Sequence, residues 1–202
     1  MIKVNFKKIL SKYLDSNLSI PIGFSSCLIG TKCGWDGVDY KMEIVEKIFK
    51  FNKVSTINIC QEHFSFGTPR EFSSIYGGTG EDVLDGKAQV ITVTGNDWTH
   101  GSIKAANETL RIFKEKNVLL SIMTEISPSC GSHAIYTGNP DNKKYIKGSG
   151  VTSALLQRNG VIVIGQRDFK TLNYLLSLID ENFIPDDNAI DFNEDEWYKT
   201  YF

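Results

Sequence analysis

The sequence has no long hydrophobic run. No apolar stretch approaches the ~18 consecutive residues that a membrane-spanning helix needs. Residues 1–19 alternate lysine with apolar side chains, so they lack the unbroken apolar centre of a signal peptide. We therefore expect no membrane partner and no export signal, and we interpret this segment as a surface helix.

The sequence also lacks an excess of charge of either sign. It has 22 lysine and arginine residues against 24 aspartate and glutamate residues, with a formal net charge of -2 and a pI near 5.9. A nucleic-acid-binding domain usually carries a clear positive excess or a basic patch. The composition therefore gives no reason to expect DNA as a partner.

Cysteine is scarce as well. The chain has four cysteines, Cys27, Cys33, Cys60 and Cys130, and none of them forms a CxxC pair. With no export signal and 41% hydrophobic residues, the chain needs no disulfides to stabilise its core, and the reducing cytoplasm is its expected location. In that compartment, cysteines in loops more often bind metal or do chemistry than form cross-links.

What the sequence does contain is a regular alternation of strand and helix patterns. Short apolar or β-branched runs predict strands, and apolar residues at helical spacing predict helices. The predicted strands cover residues 20–25, 53–60, 88–95, 118–124 and 161–165. The predicted helices lie within residues 1–20, 39–51, 95–117, 150–160 and 168–183. This alternation predicts an α/β fold with a mostly parallel sheet and helices on both faces, a Rossmann-like three-layer arrangement.

The ends and two internal segments do not follow this alternation. We predict an N-terminal helical extension over residues 1–20, the α/β domain over residues 21–167, and a C-terminal helix with an acidic tail over residues 168–202. Residues 61–86 are rich in glycine and proline and predict a long functional loop. Residues 136–150 predict a polar, variable segment.

Three of the cysteines share one context. Cys27, Cys60 and Cys130 each follow a predicted strand. Because the carboxyl ends of parallel strands meet at one edge of a sheet, their sulfurs would converge there if the strands are neighbours. Simple packing of small apolar side chains is the alternative.

The cysteines alone allow two kinds of metal centre. Zinc would need a fourth ligand, and His63, His133 or Cys33 could supply it. An iron–sulfur cluster with three thiolates would leave one iron open to a substrate. The number of cysteines does not separate the two.

Several motifs resemble those of a bacterial family. In order along the chain they are SSCLIG, WDG, CQE, TPRE, GNDWTHG, SPSCGS and GSGVTSALLQRNGVIV. This set resembles the thiouracil desulfidases (the TudS-like family) over roughly residues 22–165. The stretch SPSCGS, residues 127–132, is one of its two most specific elements.

The resemblance implies an oxygen-sensitive [4Fe-4S] cluster held by Cys27, Cys60 and Cys130. Its fourth iron would bind the sulfur of a thiolated pyrimidine, such as thiouracil or its nucleotide. Water would then replace the sulfur without net redox change. Glu62 is the family-like carboxylate that would act as the base, and Ser127 could position the water or hydrogen-bond the pyrimidine.

Four further residues are predicted to bind the substrate: Ser26, Arg70, Ser129 and Gly131. Arg70 could clamp an anion, or it could pair with Glu71 or Asp82 on the surface. Glu62 could be merely solvated, and Ser127, which precedes a proline, could serve only the turn.

The chain departs from the family pattern at positions near the pocket. Gln61 stands where the family usually has proline, Gly34-Trp35 replaces a basic-aromatic pair, and Thr124 replaces a lysine. Cys33 is not a family ligand. It could be a core thiol, a persulfide acceptor or a fourth ligand that closes the site.

Two other functions stay open at this point. The first is a non-catalytic metal- or cluster-binding module in which Cys33 is the fourth ligand. The second is an enzyme acting on a sulfur-containing small molecule unrelated to pyrimidines.

Overall fold

A computed structural model describes residues 6–138, 142 and 144–202. The strands among these residues are β1 (Ile20–Ser25), β2 (Val54–Ile59), β3 (Ser73–Tyr76), β4 (Gln89–Thr92), β5 (Leu120–Met123), β6 (Ala134–Thr137), β7 (Lys144–Lys147) and β8 (Ile162–Gly165). The α-helices are α1 (Phe6–Leu14), α2 (Glu43–Lys50), α3 (Gln61–Phe66), α4 (Gly80–Leu84), α5 (Thr99–Glu115), α6 (Val151–Arg158), α7 (Phe169–Ile179) and α8 (Glu196–Tyr201). Short 3-10 helices span Ser26–Ile29 and Phe192–Glu194.

The central sheet has four strands in the order β2-β1-β5-β8. All of its neighbouring strands are parallel. The carboxyl ends of β2, β1 and β5 therefore lie side by side at one edge. The predicted α/β fold with a mostly parallel sheet is confirmed.

Helices cover both faces of this sheet because successive strand residues point to opposite sides. From β1, Ile20, Ile22 and Phe24 pack into a core that also contains apolar residues of α1, α2 and α7. Between them, Gly23 faces the other way and lies against the ring of Phe113 on α5. The predicted three-layer arrangement is confirmed.

The helical extensions predicted at both ends are present among the described residues, while residues 1–5 lie outside the described part. Leu10 of α1 and Leu176 of α7 belong to the same hydrophobic core as β1. The boundaries at residues 20/21 and 167/168 stay predictions. None of the helices in the described ranges is long and apolar enough to cross a membrane.

The predicted long loop over residues 61–86 is wrong. This stretch contains α3, β3 and α4. A capping box starts α4, since the Asp82 carboxylate accepts hydrogen bonds from the backbone N–H and the hydroxyl of Thr79. Glycine and proline marked the turns between these short elements and hid the elements themselves.

Two other segments also differ from the prediction. The strand predicted over residues 88–95 exists as β4, but it pairs antiparallel with β3 in a separate two-stranded sheet. The polar segment over residues 136–150 includes part of a second antiparallel pair, formed by β6 and β7. Strand partners are not encoded in local periodicity, so the sequence pattern could not assign these pairs.

Candidate functional site

Cys27, Cys60 and Cys130 line one cavity of about 360 Å³. Cys27 lies in the 3-10 helix after β1, Cys60 directly follows β2, and Cys130 lies in the loop after β5. These three strands are neighbours in the sheet. The fold therefore brings together three residues that lie up to 103 positions apart in the chain (130 − 27). Their role as ligands stays a prediction.

Cys33 belongs to the same group of thiols. It lines the cavity with the other three, and all four are free cysteines. A hydrogen bond with Cys33 lowers the pKa of Cys27. A second hydrogen bond with Cys33 lowers the pKa of Cys60 to about 7. The same two bonds, together with burial, raise the pKa of Cys33. Cys33 therefore favours thiolates on its two neighbours.

Cys130 is in a different environment. Burial raises its pKa well above the usual thiol value. Its thiol donates to Gln61 Oε1 at 3.3 Å and accepts from Ser25 Oγ at 3.5 Å. Burial therefore favours the protonated thiol of Cys130. An interaction with a cation, such as a metal, would favour its ionised form there.

The other sulfurs also have polar neighbours. Cys27 Sγ lies 3.0 Å from Thr124 Oγ1, and Cys60 Sγ accepts the backbone N–H of His63 at 3.4 Å. Hydrogen bonds to ligand sulfurs are one of the means by which proteins adjust iron–sulfur clusters. Each of the three predicted ligands thus has a hydrogen-bonding partner from the protein.

Glu62 and Arg70 form an ion pair in the cavity wall. Arg70 Nη2 lies 3.0 Å from Glu62 Oε2, with the arginine side chain 3% exposed and the glutamate side chain 22% exposed. Arg70 Nη1 also donates to the carbonyl oxygens of Cys33 at 2.9 Å and Gly67 at 3.2 Å. Burial alone would lower the pKa of Arg70, but the charges of Glu62 and Cys60 and the hydrogen bond with Glu62 together outweigh it, and the pKa is raised. The pairing considered from sequence, with Glu71 or Asp82, is wrong.

The loop that carries Cys130 is held from within. Ser127 Oγ accepts the backbone N–H groups of Ser129 at 3.2 Å and Cys130 at 3.1 Å. The hydroxyl therefore supports the turn, and its own hydrogen is left to donate. The catalytic role of Ser127 stays a prediction.

A buried carboxylate that sequence analysis missed supports the same loop. Glu125 Oε1 accepts the backbone N–H groups of Ser132, His133 and Ala134. Burial alone would raise the pKa of Glu125, but its hydrogen bond with His133 and the charge of His133 lower it. The sequence signal that could have identified Glu125 is its position between an apolar strand and a Ser-Pro turn.

Three of the predicted substrate-binding residues lie next to the cavity wall. Ser26 is a buried residue at the start of the 3-10 helix after β1. Ser129 Oγ lies 3.2 Å from Thr152 Oγ1, and Gly131 donates its N–H to the Ser127 carbonyl at 3.0 Å. A side chain at Gly131 would collide with the Ala134 carbonyl, which explains the glycine. Their substrate-binding roles stay predictions.

Aromatic side chains form another part of the wall. Trp35 and Phe72 meet edge to face with centroids 5.5 Å apart, and Phe72 lies 5.2 Å from Tyr136. All three line the cavity. Such a wall suits a flat ring. Sequence analysis singled out only Trp35, as a departure from the family pattern.

Comparison with known proteins identifies the family of the chain. A family model described as 2-thiouracil desulfurase matches residues 22–168. The chain belongs to this family. The resemblance inferred from the motifs is therefore confirmed.

Two similar proteins illustrate the 2-thiouracil desulfurase family. Over 149 residues the chain is 42% identical to "Uncharacterized protein YbbK" of Bacillus subtilis (strain 168), a match covering 73% of this chain and 97% of YbbK. A solved structure named "[4Fe-4S]-dependent thiouracil desulfidase TudS" is similar with a TM-score of 0.64 and 26% identity. That match covers 80% of this chain and 99% of the TudS chain.

The family match does not cover every helix of the chain. Helices α1, α7 and α8 lie outside residues 22–168. Inside the match, Gln61 and Thr124, which the sequence analysis predicted to be departures from the family pattern, both contact a cysteine of the cavity. The departures therefore lie beside the sulfurs.

Proposed function

We propose that this protein is a desulfidase that removes sulfur from a thiolated uracil or a related nucleotide. Its cofactor would be a [4Fe-4S] cluster held by Cys27, Cys60 and Cys130, with one iron open to the substrate. The observation that carries the proposal is the lining of one cavity by these three cysteines at the ends of adjacent strands. Membership of the 2-thiouracil desulfurase family supports it.

The chemistry of the donor set fits a cluster. The thiols are free, and soft thiolates are the usual ligands of iron–sulfur centres. Among the described residues, no three cysteine, histidine, aspartate or glutamate side chains are grouped to hold a single metal ion. In a cluster each thiolate binds a different iron, so the sulfurs need not converge on one point. The arrangement therefore favours a cluster over a closed zinc site.

The overall reaction replaces a C=S sulfur with oxygen from water and releases sulfide, so no electrons are gained or lost. When bound, the cluster would supply a Lewis acid for the soft sulfur of the substrate. Glu62 would take the proton of the attacking water. The ion pair with Arg70 holds its carboxylate in the cavity wall, where part of it still reaches solvent.

Other residues would bind and orient the substrate. The wall of Trp35, Phe72 and Tyr136 would stack on the pyrimidine ring. Ser127 would donate its hydroxyl hydrogen to the water or the ring. Among the proposed contacts Ser26, Arg70, Ser129 and Gly131, Arg70 is the one that lines the cavity, and its buried Nε has no hydrogen-bond partner.

The proposal is tested by purifying the protein without oxygen and measuring iron, labile sulfide and sulfide release. We expect a brown protein with about four irons per chain that releases sulfide from thiouracil or thiouridine monophosphate. Comparing the two substrates identifies whether the base or the nucleotide is preferred. A colourless protein with one zinc and no turnover would refute the proposal.

A second candidate is a non-catalytic metal- or cluster-binding module with Cys33 as a fourth ligand. The interaction of Cys33 with Cys27 and Cys60 favours it, because a fourth thiolate would close the site. The Cys33→Ser variant separates the candidates. A desulfidase keeps its iron and its turnover in this variant, whereas the module loses metal. Cys27→Ser is the matched control and loses metal under both.

A further inference from the structure

The side chain of Gln61 is a buried amide that uses only its oxygen in hydrogen bonding. Gln61 is the first residue of α3, it is 1% exposed, and it lines the cavity. Its Oε1 accepts the thiol hydrogen of Cys130 at 3.3 Å. Its Nε2 is buried without a hydrogen-bond partner. A buried donor left unpaired costs about 1–3 kcal/mol, so this nitrogen needs an explanation.

The explanation follows from the chemistry of a metal ligand. A cysteine bound to iron is a thiolate, which has no hydrogen to donate and can only accept. Gln61 Oε1 would then face the Cys130 sulfur as a second acceptor. A half turn about the last side-chain bond exchanges the oxygen and nitrogen positions of the amide. The turn breaks no other bond of the nitrogen, because Nε2 makes none here.

We propose that Gln61 donates its side-chain N–H to the thiolate of Cys130 when the protein holds its cluster. This inference rests on the proposed function, since it requires Cys130 to be a ligand. Ser25 Oγ, 3.5 Å from Cys130 Sγ, is already a donor to this sulfur. Gln61 is therefore a positioning residue that stabilises negative charge on a buried ligand.

Its effect would be on the properties of the cluster. Hydrogen bonds to ligand sulfurs stabilise the reduced, more negative state and so raise the reduction potential. The amide would also hold Cys130 in place as a ligand. A residue that served packing alone would have neither effect.

The test labels the protein with ¹⁵N-glutamine and examines its anaerobically purified, reduced cluster by pulsed electron paramagnetic resonance. We expect coupling between the cluster and a ¹⁵N nucleus, lost in Gln61→Met. Gln166→Met is the matched control, because Gln166 also lines the cavity but its Oε1 accepts the N–H of Glu125 at 3.2 Å. That variant keeps the coupling.

A second measurement is the midpoint potential of the cluster, which we expect to be more negative in Gln61→Met than in the wild type and in Gln166→Met. The coupling measured in the labelled wild-type protein tests the inference without any substitution. If this protein holds a cluster without glutamine coupling, this inference fails and the proposed function stands. If it holds no cluster, the proposed function fails and this inference fails with it.

Discussion

Single residues around the cavity are positioned by partners from other elements. Arg70 joins Glu62 to the backbone of Cys33 and Gly67, while Glu125 holds the loop of Cys130 through three backbone N–H groups. These partners favour the observed positions, because a buried charge left unpaired is costly. Substitutions of single residues therefore distinguish side chains that take part in the reaction from side chains that only hold others in place.

Replacing Glu62 with Gln keeps the shape of the side chain and removes its ability to take a proton. We expect the iron content to stay the same and kcat for sulfide release to fall by about 100-fold. Glu71→Gln is the control, since Glu71 lines the same cavity but its carboxylate accepts hydrogen bonds from Thr94 and Asn96. Undiminished turnover in Glu62→Gln would show that Glu62 serves the scaffold.

His133 links two buried carboxylates and should make stability depend on pH. Its Nδ1 lies 3.2 Å from Glu125 Oε2 and its Nε2 lies 3.6 Å from Asp168 Oδ1. Burial alone would lower the pKa of His133, but Glu125 and Asp168 raise it. A raised pKa in the folded state stabilises the protein fully below the unfolded value of about 6.5, and this stabilisation is lost as the pH rises through the folded value.

We therefore expect the free energy of unfolding of the wild type, measured in urea, to decrease above about pH 6.5. This contribution is absent from His133→Gln. Burial raises the pKa of Asp168 to about 6 although the charge of His133 lowers it, so the comparison reports the loss of the imidazole together with its effect on Asp168. Parallel pH profiles of the two proteins would contradict the role of His133.

Among the elements, β1 is the central support of the site. It lies between β2 and β5, and it leads directly into the 3-10 helix that carries Cys27. Close packing on both faces leaves no room for change in this strand. Gly23 illustrates this, because a β-carbon at this position would overlap the ring of Phe113.

Replacing Gly23 with Ala should therefore lower the free energy of unfolding by about 1–3 kcal/mol through overpacking. Combining it with Phe113→Leu, which shortens the opposing side chain, should cost less than the sum of the two single changes. Urea unfolding of the four proteins in this cycle gives the coupling energy. Strict additivity would mean that the two residues do not interact.

The helices and strands also show how much of the structure local sequence patterns can predict. The central strands and α5 were predicted because apolar runs and helical periodicity are properties of neighbouring residues. The strand over residues 88–95 was also recognised, but its pairing with β3 was not. The residues Gln61–Phe66, Ser73–Tyr76 and Gly80–Leu84 were taken for a loop because such short elements carry too few periodic residues.

Across the whole molecule, helices α1 and α7 share one core with the central sheet. Leu10 of α1 is fully buried, at 0% exposure, although it lies outside the family match. Leu10→Ala should lower the free energy of unfolding by about 2–5 kcal/mol. Leu18, 56% exposed, is the matched control, and Leu18→Ala should change it by less than about 0.5 kcal/mol. If Leu10→Ala lowers the free energy of unfolding no more than Leu18→Ala does, α1 contributes nothing to the stability of the core.

The sequence by itself determined the alternation of strands and helices and the position of three cysteines in segments that follow strands. These features depend on residues close together in the chain. The tertiary structure alone decided that β1 lies between β2 and β5, that Arg70 pairs with Glu62, and that Gln61 meets Cys130 across 69 residues. Such contacts form because the fold buries these side chains together, and no local pattern specifies which distant residue will be the partner.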